Sequence, residues 1–247
     1  MQNHEIIFPH LLDVTAQAID LSGLTQGQKD FYLRLFFEVA EIYHAASKPR
    51  VVIGIAGASG AGKSVVAVLL QNLAKQAGAP FAVESITIDA YHFPNEFLLS
   101  HVSEGKPLKQ VKGRFDTYDA KALARDLTAF SAGETVSFPI YSRKLHDPVQ
   151  GGVTLKAREA LLIIEGQWLL FDQAGWAEVG PRLDYTIFID SDPEKARGPV
   201  LKRHMAGGRS LEDAARHYEL VDASNAALVR TTKPKASKVI PPYYSLP

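Results

Sequence analysis

Val51-Val52-Ile53-Gly54-Ile55-Ala56 runs directly into Gly57-Ala58-Ser59-Gly60-Ala61-Gly62-Lys63-Ser64, and a helical pattern opens at Lys63. The first six residues form a short, continuous apolar run rich in β-branched side chains, the signature of a strand buried on both faces. The next eight satisfy G-x-x-x-x-G-K-[ST] at every fixed position, in the strand-before, helix-after context that the motif requires. Glycines let the backbone bend until its N–H groups converge on phosphate oxygens. The N-terminus of the following helix adds positive potential. Lys63 is placed to reach β- and γ-phosphates and Ser64 to ligate Mg²⁺. Gly57 to Ser64 is therefore read as a nucleotide phosphate loop, with ATP and Mg²⁺ as the expected cofactors.

Outward from this unit, strand and helix patterns alternate. Lys63 to Ala77 reads as a helix ended by Gly78 and Pro80, Ala82 to Ile88 as a strand stopping at Asp89, and Asp119 to Phe130 as a helix. Val136 to Tyr141 reads as an edge strand, because Pro139 sits inside it. Leu161 to Glu165 and Tyr185 to Asp190 are further buried-type strands, and Lys238 to Ile240 a last short one. Pro193 to Met205 and Leu211 to Arg230 read as helices, with a kink or early break expected at Gly198-Pro199. Residues 90–116 are turn-rich. The fold expected is α/β, the three-layer α/β/α arrangement of P-loop NTPases with a mainly parallel sheet and a helical lid. Residues 1–48 read as a helical appendage: Thr25 and Gln28 have capping-box spacing, and Phe31, Leu35, Val39 and Ile42 share one stripe before Lys48-Pro49-Arg50 interrupts it. Residues 49–247 make up the expected P-loop domain.

Composition narrows the function classes. The 247 residues carry 27 Lys+Arg against 27 Asp+Glu, 46% hydrophobic and 22% charged residues, and no cysteine. Zero net charge argues against a general nucleic-acid binder. The absence of cysteine excludes disulfides and thiolate metal sites. Met1 to His10 lacks the basic and apolar regions of a signal peptide. The longest apolar stretch, Leu161 to Phe171, is too short and too polar to span a bilayer. A cytoplasmic protein with no membrane or nucleic-acid partner is expected. A homodimer through the N-terminal segment is an open expectation.

Strand ends near the loop carry the remaining polar chemistry, as open α/β sheets place their sites there. Asp89 is placed to accept a hydroxyl proton during γ-phosphoryl transfer. Glu165 ends Leu161-Leu162-Ile163-Ile164 in an hhhhE pattern and is a Mg²⁺ candidate beside Ser64. Two basic clusters follow, Lys112-Gly113-Arg114-Phe115-Asp116-Thr117-Tyr118-Asp119 and Pro139-Ile140-Tyr141-Ser142-Arg143-Lys144-Leu145-His146-Asp147-Pro148. With Tyr91 and His92, their Arg114, Tyr141, Arg143 and His146 suit a polar or anionic substrate. Arg203 and Arg209, in a helix–turn–helix stretch between strands, are candidates for a lid over the phosphates.

In this order and spacing, the P-loop, Asp-Ala-Tyr-His-Phe-Pro-Asn at 89–95, Lys-Gly-Arg-Phe-Asp-Thr-Tyr-Asp at 112–119, Pro-Ile-Tyr-Ser-Arg at 139–143 and Ile-Ile-Glu-Gly at 163–166 resemble the phosphoribulokinase / uridine kinase / pantothenate kinase superfamily across roughly residues 50–240. Glu-Gly-Gln-Trp-Leu-Leu and Met-Ala-Gly-Gly-Arg-Ser are similar to a bacterial branch of uncharacterised nucleoside/nucleotide kinase-like proteins, some labelled fructose kinases. The resemblance implies a catalytic role for Asp89, a position near substrate and phosphates for Lys112, substrate contact for Tyr141 and His146, and the acidic role after the Walker B-like strand for Glu165. Arg143 stands where pantothenate kinases have histidine, Ser142 where uridine kinases have aspartate, and Arg114-Phe115 where relatives have a small or apolar-Pro pair. These departures point to a different acceptor: a sugar, sugar acid or related polyol, ahead of pantothenate-like acids and nucleosides. The alternative from another class is a nucleotide-binding regulator. A guanine-type Asn-Lys-x-Asp is absent, and Asp172-Gln173-Ala174-Gly175 matches Asp-x-x-Gly at a length that arises easily by chance.

Overall fold

The computed structural model describes residues 6–14, 17–156 and 158–242. In chain order its elements begin with an antiparallel pair, β1 (Leu11–Val14) and β2 (Gln17–Asp20), in which Leu11 faces Asp20. Helix α1 (Gln26–Ala45) follows, then β3 (Arg50–Gly57), α2 (Lys63–Gln76) and β4 (Ala82–Thr87). Next come α3 (Asn95–Ser100), the two-residue strands β5 (Val102–Ser103) and β6 (Lys106–Pro107), α4 (Ala120–Ser131) and the hairpin β7 (Val136–Ser142) and β8 (Asp147–Leu155). β9 (Ala160–Glu165), β10 (Tyr185–Ile189), α5 (Pro193–Ala206), α6 (Leu211–His217), α7 (Ala223–Thr231) and β11 (Lys238–Ile240) complete the chain.

Five strands form one parallel sheet in the order β11-β10-β3-β9-β4. Period-two alternation distributes each central strand between two cores. Val51, Ile53 and Ile55 of β3 join Leu161 and Ile163 of β9 under α1 and α2. Val52 and Ala56 join Leu162 and Ile164 on the other face, against α4, Trp168 and Trp176. The three-layer α/β/α expectation is met. The chain leaves β3 through α2 towards β4 on one side, and leaves the neighbouring β9 across the other face towards β10. Adjacent strands whose connections diverge open a crevice at their C-terminal ends, where such sheets bind ligands. Among the described residues no helix is long and apolar enough to cross a membrane.

The structure corrects four local expectations. Residues 1–48 are not wholly helical: α1 starts at the Thr25/Gln28 capping box as read, but residues 11–20 form the β1–β2 hairpin. Leu12 and Val14 are buried while Leu11 and Asp13 face out, a strand period in a segment too short to register against the helical stripe. Met1 to Glu5 lie outside the described residues. Val136 to Tyr141 is not an edge of the main sheet, since β7 pairs with β8 in a separate two-stranded sheet, and the register shifts between Phe138 and Ile140, where Pro139 has no N–H to offer. Helix α5 runs through Pro199 without a break. Pro199 and Lys195, whose carbonyl loses its helical partner, are both exposed, which leaves the orphan group on the solvent side of the helix. The Leu211 to Arg230 helix contains a π turn, Tyr218–Asp222, between α6 and α7.

Candidate active site

The cavity at the C-terminal end of the sheet has a volume of about 720 Å³. Its floor is the loop 58–62 between β3 and α2. Gly60 adopts φ +79°, and a Cβ there would meet Val200 Cγ2 at 2.8 Å and the Ala196 carbonyl at 3.0 Å. The loop can therefore lie directly beneath α5 only with glycine at this position. Lys63 Nζ donates to the Ala58 carbonyl at 2.9 Å, which folds the side chain back over the loop. Burial lowers the proton affinity of Lys63, opposed by the nearby Glu165 carboxylate. Ser64 Oγ donates to Glu165 Oε1 at 2.8 Å. Burial raises the proton affinity of Glu165, against the pull of Lys63. A hydroxyl and a carboxylate paired beside the loop are hard oxygen donors suited to Mg²⁺.

Asp89 follows β4 in a 3₁₀ turn, Ile88–Tyr91, whose first N–H groups are tied down when Asp89 N donates to Thr87 Oγ1 at 3.2 Å. Gly166 lets this turn close over the end of β9, because a Cβ there would fall 2.4 Å from Ile88 Cγ1. Tyr118 OH donates to Asp89 Oδ1 at 3.4 Å. His92 is buried and stacks on Tyr118 at 3.8 Å between centroids and 19° between planes. Its Nδ1 lies 2.9 Å from the Thr117 carbonyl, an acceptor, so Nδ1 carries the hydrogen. Burial pushes the His92 pKa down to about 4, leaving a neutral ring at pH 7.

Beyond Asp89 the lining is basic. Lys112 Nζ donates to Asn95 Oδ1 at 3.0 Å and to the His146 carbonyl at 2.7 Å. Lys109 also donates to Asn95 Oδ1. The nearest ion-pair partner of Lys112, Asp147 Oδ1, is 4.0 Å away, and its ammonium sits 5.2 Å from the Tyr141 ring centroid. Burial, with repulsion from Lys109, pulls the Lys112 pKa down to about 8. Burial raises that of Tyr141 to about 12. Across the cavity, Arg203 Nη2 donates to Ser59 Oγ at 2.6 Å, pinning the last turn of α5 to the phosphate loop. Among the described residues, seven Lys and Arg side chains line the cavity, Lys63, Lys109, Lys112, Arg143, Lys144, Arg203 and Arg209, against three carboxylates, Asp89, Glu165 and Asp222. A chain of zero net charge thus concentrates positive potential where anionic ligands would enter.

Of the residues read from sequence, Ser59, Lys63, Ser64, Asp89, His92, Lys112, Tyr141, Arg143, His146, Glu165, Arg203 and Arg209 converge on this one cavity. Two substrate-binding expectations fail. Arg114 points away, held by Asp116 at 2.5 Å and Glu104 at 2.6 Å and donating to Ser103 Oγ at 2.7 Å, so it braces the β5–β6 turn against the 3₁₀ turn at 115–117. Tyr91 is buried with its hydroxyl donating to Asp126 Oδ2 at 2.8 Å, which ties the 3₁₀ turn to α4. Sequence reasoning missed Lys109, Tyr118, His217 and Asp222, all on the cavity wall, and Gln17, which brings the β1–β2 hairpin to its rim. Lys109 was legible as the partner of Lys112 one helical turn on; Asp222 was not, because the π turn that aims it inward has no sequence signature.

The backbone of Gly113 fixes this wall. Its carbonyl accepts from Gln167 Nε2 at 2.8 Å, Asn225 Nδ2 at 3.0 Å and Trp168 Nε1 at 3.1 Å.

A parallel sheet with a phosphate loop after its central strand β3, carboxylates at the ends of β9 and β4 and arginines on a helical lid defines a P-loop kinase. The chain belongs to the Phosphoribulokinase / Uridine kinase family, whose model matches residues 52–244. Uncharacterized protein YggC of Escherichia coli (strain K12) is 26% identical over 93% of this chain and 94% of its own length. The pantothenate kinase of Enterococcus faecalis (strain ATCC 700802 / V583) is 30% identical over 62% of this chain and 48% of its own, so the chain spans about half the length of that relative. A solved structure from Silicibacter sp. TM1040, named a candidate fructose transport system kinase, superposes with a TM-score of 0.74 at 24% identity over 85% of this chain and 98% of that one, a likeness of fold.

Proposed function

We propose that the protein is an ATP-dependent kinase that transfers the γ-phosphoryl group to a hydroxyl of a small, anionic, polyhydroxylated acceptor, a sugar acid or related hydroxy acid. The observation that carries this reading is the cation cluster on the far side of Asp89. Lys109 and Lys112 share one neutral acceptor, Asn95, and the carboxylate nearest Lys112 is 4.0 Å away. Half-buried ammonium groups with so little negative charge of their own suit a ligand that supplies it. Arg143 and Arg209 on the same wall extend the positive field.

In this reading the loop N–H groups and Lys63 hold the phosphates, and Arg203, released from Ser59, turns onto the transferring group. Ser64 and Glu165 would hold Mg²⁺, which supplies charge neutralisation between β- and γ-phosphates. Asp89 accepts the hydroxyl proton as the acceptor oxygen bonds to the γ-phosphorus and the bond to the β–γ bridging oxygen breaks, releasing ADP. Neutral His92, with Nδ1 engaged, offers Nε2 as an acceptor that orients an acceptor hydroxyl. Preorganised cations, not new covalent chemistry, carry the rate.

The test is ADP formation from Mg-ATP with matched panels of sugar acids, sugar phosphates, neutral polyols, pantothenate and nucleosides, with Lys63→Ala as control. Acceptor-dependent ADP confined to anionic acceptors and lost in the control is the expected result. Turnover of neutral sugars or nucleosides in preference to acids would overturn the acceptor class. ATP binding with no acceptor-dependent turnover would favour the regulator reading.

A further inference from the structure

The lid carries a cluster that phosphoryl transfer does not use. His204 lies in the last turn of α5, His217 ends α6, and Asp222 closes the π turn. One imidazole nitrogen from each histidine and one carboxylate oxygen of Asp222 all lie within 4.8 Å of one another, the one such trio of metal-ligating residues among the described residues. His204 Nε2 is 2.8 Å from Asp222 Oδ2, and the two imidazoles meet edge to face with centroids 5.0 Å apart. The Asp222 side chain is 9% exposed and that of His204 15%, so the donors are held rather than waving in solvent. All three border the cavity, which lets water complete a coordination sphere.

We propose that His204, His217 and Asp222 form a binding site for a divalent first-row transition metal, zinc in particular, which fastens α5 to the α6–α7 helix. Two imidazoles and one carboxylate are the donor set of such ions, whereas Mg²⁺ takes oxygen ligands and belongs at Ser64 and Glu165. Three protein ligands with an open position match the coordination of an ion that keeps a water. Arg203 faces the other carboxylate oxygen, Oδ1, at 4.0 Å while its Nη2 donates to Ser59 Oγ at 2.6 Å, which leaves the Oδ2 side clear of it. The ion therefore approaches the Oδ2 side, where His204 now donates. On binding, His204 Nε2 gives up the hydrogen it shares with Asp222 and becomes a ligand. Metal–donor bonds of about 2 Å put tetrahedral donors roughly 3.3 Å apart, so the widest pair of the trio closes by about 1.5 Å at most and the His204–Asp222 pair opens slightly. Because the ligands come from two lid helices, the bound ion cross-links α5 to the α6–α7 helix.

The site is tested independently of catalysis, on the full chain stripped of metal with a chelator and without nucleotide. Zinc is titrated by calorimetry, and Co²⁺ serves as a spectroscopic probe of coordination. The chain has no cysteine, so any d–d signal of a low-coordinate Co²⁺ site reports imidazole and carboxylate ligands. The expected result is one equivalent of Zn²⁺, with affinity falling at least tenfold in His217→Ala and in Asp222→Asn and unchanged in His101→Ala, whose ring is stacked on Phe97 away from the lid. Metal-free thermal melts establish that each variant is folded, and His217→Asn replaces any that is not. Absence of stoichiometric Zn²⁺ binding to the unsubstituted protein would overturn the proposal. So would binding that survives the His204→Ala/His217→Ala double change.

Discussion

The two ends of the cleft are built in opposite ways. At the nucleotide end, one stretch of eight residues supplies the floor, and its contacts are short: Lys63 to the Ala58 carbonyl, Ser64 to the strand-end Glu165. At the end proposed to take the acceptor, the wall is assembled from residues 92–95, 109–112, 141–147 and 203–209, on 3₁₀ turns, a hairpin and the lid. Backbone N–H groups recognise a phosphate whatever side chains surround them, so the first end can be shared widely within a fold. Acceptor choice depends on side chains carried by irregular segments, which are free to change.

Asp89→Asn is the largest expected blow to this contrast: turnover falls by about 10²–10⁴-fold, the usual span for a lost general base, while ATP affinity measured by calorimetry stays the same. Surviving turnover would remove Asp89 from chemistry. Lys112→Met comes next. Loss of a charge-assisted hydrogen bond of about 1.5–3 kcal/mol should raise the acceptor KM about 10- to 100-fold with the ATP KM unmoved. A parallel rise in both constants would merge the two ends. Acidity sharpens the same point. Burial lowers the Lys112 pKa to about 8, so its ammonium is present below that pH and lost above it. The acceptor KM is therefore expected to climb several-fold between about pH 7 and 9, and Lys112→Arg should flatten the profile. Arg114→Ala is the smallest effect on kinetics. Removing its contacts to Glu104, Asp116 and Ser103 should cost about 1–2 kcal/mol in denaturant titrations, with both KM values unchanged. A raised acceptor KM would return Arg114 to the substrate wall.

The sequence made the sheet legible because its strands are buried on both faces and announce themselves as apolar runs, as Leu161-Leu162-Ile163-Ile164 does. The β1–β2 hairpin and β8 escaped because they are short or half-exposed, and their side chains carry too little period-two signal beside stronger helical or loop cues. The site divides along the same line. The motif from Gly57 to Ser64 joins a strand to a helix as its pattern indicates. Arg114 and Tyr91 misled because composition shows that a group can bind an anion or donate a proton, but only packing shows where it points. Arg114 sits two residues from its own neutraliser, Asp116, an ion pair that the spacing did not reveal.

The Gly113 carbonyl has a consequence for how this protein can diversify. Three elements distant along the chain, β9's continuation at Gln167 and Trp168, α7 at Asn225 and the segment bearing Lys112, share one oxygen atom. A lineage that replaces any one of the three donors shifts the demand on the other two, and with it the anchor of the neighbouring lysine. Substitutions at 167, 168 and 225 should therefore be inherited together, since they reach the cavity wall through one shared backbone oxygen.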